Sequence, residues 1–573
     1  MNQTRTFLLF ALVAVAYLLW MAWEKDYAPP SVATPPVAAA SSAATPPAPV
    51  PDSAVPASTP APTAMASAPA AASSTVAPSQ LITIDTDVLR LTVDTRGGTV
   101  VRSDLLHYPT VPRTRKTPAP EPVRLLDDER SKYFVAQSGL VSHASPAPDH
   151  RAVFQAAQTA YALADGQAAL TVDLTWQDPS GLKVTKSYTL KRGSYVVEMA
   201  QRIDNGAATA WQGNAYEQLQ RVNRPESKGW WQTFTDPELR SLFGAAWYSP
   251  DEKFESRAFS DFQEKPLNRT ISGGWAAMLQ HYFFVAWIPP AGEAASYATQ
   301  VVNPAAGQPS YLIRAVGPAL DVAPGHSVTS SARLYVGPKL QGMLETVAPG
   351  LALTSNYGWT TVVAQPLHGL LSWLHALSRN WGAAIILLVL IIKALTWKLT
   401  AAQYRSSAKM RKLQPRVTSL KERYGDDKQK MQQAMMELYK KEKVNPMTGC
   451  LPVLITIPIF YGLYNVLMES VELRQAPFFG WIHDLSMPDP YFVLPALYTL
   501  VMLGQQYLMP ISAGMDPTQA KMMKFMPLLF AVMFAFFPAG LCLYYVVNGI
   551  TGLAQQWYIT RQIDRADTKV ATA

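Results

Sequence analysis

The sequence predicts a polytopic α-helical membrane protein that carries a large all-β domain outside the membrane. Three observations support that class. Of 573 residues, 49% are hydrophobic and only 16% charged, against about 25% charged in a soluble protein. The apolar residues collect in long uncharged runs near the N-terminus and after residue 357, and between those runs lies a region of short segments with period-two alternation. This composition excludes a disordered chain, a disulfide scaffold and an ordinary cytosolic enzyme. The two cysteines, Cys450 and Cys542, sit in separate apolar stretches and read as small buried hydrophobes, with no disulfide framework and no Cys/His metal cluster.

In chain order, residues 1–6 precede an unbroken apolar run from Phe7 to Trp23. At 1.5 Å per residue that run covers about 26 Å, enough to cross a bilayer core. Trp20 and Trp23 at its end, with no small-residue cleavage site following, favour an uncleaved anchor over a signal peptide. Residues 24–79 are dominated by Ala, Pro, Ser, Thr and Val and form an extended tether. Residues 80–350 read as an antiparallel β-sandwich. Ile82–Val93 alternates with period two before a turn at Thr95-Arg-Gly-Gly98, and Leu170–Trp176, Val184–Leu190 and Tyr195–Met199 repeat the pattern.

Residues 357–378 are amphipathic and Trp-rich, as in a helix lying in the interface. Residues 381–399 form a spanning segment and 400–448 a polar helical hairpin. In the hairpin Met410, Leu413, Val417, Leu420 and Tyr424 make a coiled-coil seam, Pro415 is a kink point, and Gly425-Asp-Asp427 supplies the turn and N-cap for a helix from Lys428 to Val444. Residues 449–473 span again, 474–490 form a loop, 491–509 span, and 510–524 form a second loop. Phe525 to Thr560 is uncharged over 36 residues. As one helix it would be about 54 Å long against a core of about 30 Å. Two spans, 525–538 and 540–560, reversing at Pro538-Ala-Gly540, fit instead, with 561–573 as a tail. That makes six spans. Residues 400–448 hold 12 Lys+Arg against 5 Asp+Glu, whereas 474–490 hold Arg474 against Asp484 and Asp489. The positive-inside rule then sets the hairpin and both termini in the cytoplasm and the β-domain outside.

Lys393 is the most informative single residue, because it stands in the run Ile385–Leu395 with apolar residues all round. A cation near the middle of a span costs at least about 2.5–3.5 kcal/mol. It either snorkels toward the cytoplasm or faces a hydrated cavity, and Lys398 is the better placed snorkeller. Thr456, Asn465, Gln505, Gln506, Tyr544, Tyr545, Asn548, Gln555 and Gln556 are polar groups in the spans, open to interhelical hydrogen bonding or to lining such a cavity. Arg405, Lys409, Arg411, Lys412 and Arg416 decorate the hairpin, as a solvated face or as a contact for anionic lipid or ribosomal RNA. His368 and His375 read as packing residues. No P-loop, zinc-protease motif or nucleophile elbow occurs, so neither a catalytic constellation nor a cofactor is expected.

Asn380-Trp-Gly382, Lys409-Met-Arg-Lys-Leu-Gln-Pro415, Tyr424-Gly-Asp-Asp-Lys428, Lys443-Val-Asn-Pro446, Gly449-Cys-Leu-Pro452, Ser470-Val-Glu-Leu-Arg-Gln-Ala-Pro477, Trp481-Ile-His-Asp-Leu485 and Phe537-Pro-Ala-Gly-Leu541 resemble the YidC membrane protein insertase family. So do Thr95-Arg-Gly-Gly98 and Gly244–Lys253 in the outer domain. The resemblance implies a five-helix core around a hydrophilic groove open to cytoplasm and lipid but closed to the periplasm. It implies insertion and folding of inner-membrane proteins, with and without the Sec translocon, and no metal or DNA. The family's groove cation, usually arginine, falls on Lys393, which keeps the charge without the planar fork. The groove tyrosine falls on Tyr545, with Gln505, Gln506, Asn548 and Thr456 as further groove residues, and a threonine of some relatives is Val389 here. The hairpin cations would contact clients, ribosome or lipid. The tail has a net charge of +1 and lacks a Lys-rich ribosome-binding segment. In such a groove Lys393 would attract a client's acidic segment, and the short last spans would thin the bilayer. Rival readings are a secondary transporter using the cavity and a membrane-anchored periplasmic carbohydrate-binding protein.

Overall fold

The computed structural model describes residues 79–112, 117–224, 241–302, 308–355, 357–425, 427–442, 451–508 and 517–571. Within the helices some side chains, including those of 410–412 and 451–456, fall outside the described set. The expected anchor at 7–23 and all but the end of the tether lie outside the described residues.

Period-two burial builds the outer domain. In the strands Leu182–Lys191 and Val196–Asn205 alternate residues are buried, because successive side chains of a strand face opposite sides of the sheet. The run Ile82–Val93 divides into a hairpin, Leu81–Asp85 against Leu89–Asp94. The Thr86 hydroxyl makes the turn by accepting from Leu89 N and donating to Leu89 O, each at 3.0 Å. The following turn needs glycine: Gly97 has φ +71°, and a Cβ there would stand 2.3 Å from the His150 carbonyl. The strands between Leu81 and Pro338 form a ten-stranded and a nine-stranded sheet. All pairings are antiparallel except that of Leu81–Asp85 with Ala160–Ala162. In the nine-stranded sheet the last strand of the domain, Ser327–Pro338, lies between Phe283–Ile288 and Val196–Asn205.

Trp247, Trp275, Trp287 and Tyr335 fill the core of the domain. Charged side chains are buried in the domain as well. Lys186 is fully buried, and its ammonium donates to Gly97 O at 2.6 Å, Ser138 O at 2.9 Å and Ser138 Oγ at 3.1 Å. Burial pulls this ammonium down to about 7, against the attraction of Glu217. Burial likewise pushes the Glu217 carboxyl up to about 8.

The helical part begins with α1 (Gln341–Val347) and α2 (Thr361–Ser378). Ala364, His368, Leu371 and Leu374 of α2 are buried while Val362, Trp373 and Leu377 are exposed, the two-faced pattern of an amphipathic helix. His368 stands 3.7 Å from Glu472, and His375 stacks on Trp381. α3 (Trp381–Leu395) starts on an Asn380 cap whose side chain accepts from Ala383 N at 3.0 Å. α4 (Trp397–Tyr424) and α5 (Lys428–Lys441) form the hairpin. Leu413 and Val417 are buried in its seam, Pro415 lies inside α4 without ending it, and Asp427 caps α5 through Lys430 N. α5 ends at Lys441, short of the expected Val444, which lies outside the described residues.

There follow α6 (Leu451–Glu469), α7 (Val493–Leu508), α8 (Pro517–Phe534) and α9 (Ala539–Ala571). The chain reverses between α8 and α9 at Pro538, where Ala539 N and Gly540 N donate to Met487 O and Leu485 O. α9 runs on through the segment expected to be a separate tail. Two contacts one turn apart support the extension: Gln562 bonds the Tyr558 hydroxyl and Arg561 lies over Trp557.

No single described helix is long and apolar enough to cross a membrane. α3 with Trp397–Ser406 passes that test as a pair bent by 65°. The segment 381–399, expected to run unbroken, therefore divides at Thr396. The Thr396 and Thr400 hydroxyls donate back to Ile392 O at 2.8 Å and Thr396 O at 3.0 Å, a pattern that bends helices.

The β-domain is seated on the helices by polar contacts. Gln475 donates to Pro109 O, Arg474 donates to Thr110 O, and a His281 ring nitrogen lies 2.8 Å from Met468 O.

Candidate functional site

The site is built where the bend of α3 into α4 meets α6 and α9. α3 is apolar over Ile385–Ile392, so its N-terminal part packs into the helical core, with Ala384, Ile385, Leu388 and Val389 buried. Lys393 is the first charged residue after that run. From there a polar stripe continues through Thr396, Thr400 and Gln403 at spacings of three, four and three, and all four line one side of the bend. That stripe lines a cavity of about 280 Å³, closed on the other side by Phe460 of α6 and by Tyr544, Tyr545 and Asn548 of α9.

Beside the cavity the polar groups converge on a glycine. Tyr404 donates to Gly552 O at 3.3 Å, and Gln505 of α7 donates to Gly549 O at 3.3 Å. A Cβ at Gly552 would stand 3.3 Å from the Gln505 amide nitrogen and 3.6 Å from both the Lys393 ammonium and the Tyr404 hydroxyl. Glycine here leaves room for three polar heads to approach one helix surface. Among the described residues the Lys393 ammonium has no carboxylate within ion-pair distance. Glu469 and Glu472, the acidic groups at the far end of α6, pair instead with Lys339, His281 and His368. One end of the cavity is aromatic: Tyr545 packs against Phe460, Tyr498, Phe534 and Tyr544 with ring centroids 4.6–5.4 Å apart.

Of the expected groove residues, Lys393, Tyr545 and Asn548 line the cavity, and Gln505 lies beside Lys393 at Gly552. Gln506 does not line it, and the Thr456 side chain lies outside the described residues. On the hairpin Arg405, Lys409 and Arg416 are exposed, and Arg416 pairs with Glu442. The side chains of Arg411 and Lys412 lie outside the described residues. Thr396, Thr400, Gln403, Tyr404 and Gly552 were not expected at the site. The 3-4-3 spacing from Lys393 was the available signal for the first three. Chemically the arrangement offers one cation, several neutral donors and acceptors, and an aromatic end. It holds no paired acid and base, and no group of metal-ligating side chains is present among the described residues.

Comparison with known proteins is consistent along the chain. The family model described as the YidC periplasmic domain matches residues 81–370, and that described as 60Kd inner membrane protein matches 373–566. Relatives named membrane protein insertase YidC include one from Thioalkalivibrio sulfidiphilus, 44% identical over 99% of this chain and 100% of its own length. Another, from Methylococcus capsulatus, is 46% identical over 96% of each chain. A third, from Xanthomonas campestris, is 46% identical over 100% of each. Among solved structures, an active YidC insertase crystal structure is matched over 84% of this chain and 93% of its own, at 19% identity and a TM-score of 0.37.

Proposed function

Because the chain belongs to the YidC family of membrane protein insertases, we propose that it inserts and helps fold integral inner-membrane proteins through the cavity at Lys393. It works as an insertase and membrane chaperone rather than an enzyme, on nascent membrane-protein clients. The observation that carries the reading is an ammonium without a carboxylate partner among the described residues, beside a polar cavity within an otherwise apolar helical body. A lone cation at such a place is stable only with water around it. A hydrated cavity lowers the cost of bringing a client's polar segment part-way into the membrane. Acidic residues of that segment are drawn to Lys393 as to a point charge. The client's apolar helix then leaves into lipid, a transfer favourable without nucleotide.

In this reading the chain crosses the membrane six times, with 7–23, 381–399, 449–473, 491–509, 525–538 and 540–560 as spans. Both termini are cytoplasmic and the β-domain is periplasmic. Lys393, Tyr545, Asn548 and Gln505 form the client groove, joined by Tyr404 and Gln403. The hairpin cations Arg405, Lys409, Arg411, Lys412 and Arg416 meet anionic lipid and the ribosome, and the Sec translocon is a partner for larger clients. The test is insertion of a short single-span client with an acidic tail into proteoliposomes without nucleotide. Wild type and Lys393→Arg insert it, and Lys393→Ala loses most of the activity. Equal insertion by Lys393→Ala would remove the charge from the mechanism, and no insertion by wild type would overturn the reading.

A further inference from the structure

A second cavity, also about 280 Å³, lies where the β-domain meets the helices. Lys339, directly after the last strand, lines it with only 3% of its side chain exposed. A buried ammonium requires close, hydrogen-bonded partners. Its nearest carboxylate is Glu469 at 3.8 Å, longer than a charge-assisted hydrogen bond. The other Glu469 oxygen is 4.0 Å from a His281 nitrogen that already meets Met468 O at 2.8 Å. Lys339 and Glu469 thus form a loose ion pair on the wall of a cavity whose remaining walls include Tyr357, Asn465 and Leu279. Burial pulls the Lys339 ammonium below its ordinary value, so a bound anion would be favoured there. A lone anion would meet repulsion from Glu469, and a lone cation would meet it from Lys339. A zwitterion with both charges satisfies both ends. Tyr461, one turn below Asn465 on α6, also lines the cavity and is 42% exposed.

We propose that this cavity holds the headgroup of an aminophospholipid, with its phosphate on Lys339, its primary ammonium on Glu469 and an acyl chain leaving past Tyr461. A quaternary ammonium has no N–H to donate to Glu469, so phosphatidylcholine fits less well than phosphatidylethanolamine. The proposal rests on the membrane orientation given above, with the C-terminal end of α6 at the periplasmic surface.

The experiment is native mass spectrometry of the full chain released from micelles containing equal phosphatidylethanolamine, phosphatidylcholine and phosphatidylglycerol. The expected result is preferential retention of phosphatidylethanolamine by about tenfold, the ratio conferred by one charge-assisted hydrogen bond. Glu469→Gln erases the preference over phosphatidylcholine, and Lys339→Gln lowers retention of both. Equal retention of the three lipids by wild type overturns the proposal, even if neither variant folds. An unchanged preference in both folded variants also overturns it. Displacement by soluble glycerophosphoethanolamine supports a site for the headgroup itself, and resistance to displacement supports a site that also needs the acyl chain. Client insertion on the same samples separates the two readings. Insertion without lipid preference removes only this site, and lipid preference without insertion removes only the insertase.

Discussion

Gly552 sets the geometry around Lys393 without contributing a side chain. A methyl group there meets the Lys393, Gln505 and Tyr404 heads at 3.3–3.6 Å, a fit their flexible ends can accommodate, whereas a larger group cannot avoid them. Gly552→Ala is therefore expected to insert clients at near wild-type rates. Gly552→Leu is expected to fold with an unchanged melting temperature and to insert acidic-tailed clients several-fold more slowly. A second residue-scale expectation concerns Glu217. Its carboxyl, ordinarily near 4.5, is pushed up to about 8 in the folded domain. The folded state therefore binds the proton more tightly, so this group's contribution is fully present below pH 4.5 and is lost as the pH rises to about 8. Lys186, pulled down to about 7, works in the opposite direction above that pH. Melting followed by tryptophan fluorescence should fall between pH 5 and pH 7, and Glu217→Gln should flatten that slope. Lys393 was legible from sequence because one charge in an apolar run is conspicuous. Gly552 was not, because its role is the absence of a side chain facing three residues distant in sequence.

At the scale of elements, legibility followed periodicity and charge. Strands with strict alternation, such as Leu182–Lys191, stood out because each buries one face. The reversal at Pro538 stood out because an uncharged run of 36 residues is too long for one crossing. The break of α3 at Thr396 was hidden. Its cause is two hydroxyls bonding backward along the helix, and nothing in the hydropathy of 381–399 marks them. For the same reason the sequence places Thr400, Gln403 and Tyr404 in the polar hairpin, whereas the bend turns them to the cavity. α3 itself depends on its start. Asn380 caps the helix through Ala383 N and also donates to Phe478 O at 3.1 Å, tying α3 to the loop before α7. Asn380→Ala should cost about 1 kcal/mol for the cap and lower the melting temperature of the purified chain, with Asn380→Asp restoring the cap but not the tie to Phe478.

For the whole molecule, the activity and the largest domain are expected to be separable. The β-domain meets the helices through polar contacts and the buried Val471, and the cavity at Lys393 draws its lining from the helices alone. Excision of residues 81–338 is expected to leave client insertion in proteoliposomes largely intact, and its abolition would transfer the activity to the β-domain.

The placement of the last strand has a consequence for how the chain is made. Ser327–Pro338 does not cap its sheet but fills the gap between Phe283–Ile288 and Val196–Asn205. A chain synthesised from its N-terminus cannot close that sheet early. Until residue 338 has emerged, strands of six and ten residues hold unpaired edges, a template for pairing with any other extended chain. Contacts so distant in sequence also form slowly. The outer domain therefore folds as one late event, just as synthesis passes into α2 and α3. A ribosome stalled before Ser327 leaves a nascent chain with an open, aggregation-prone sheet.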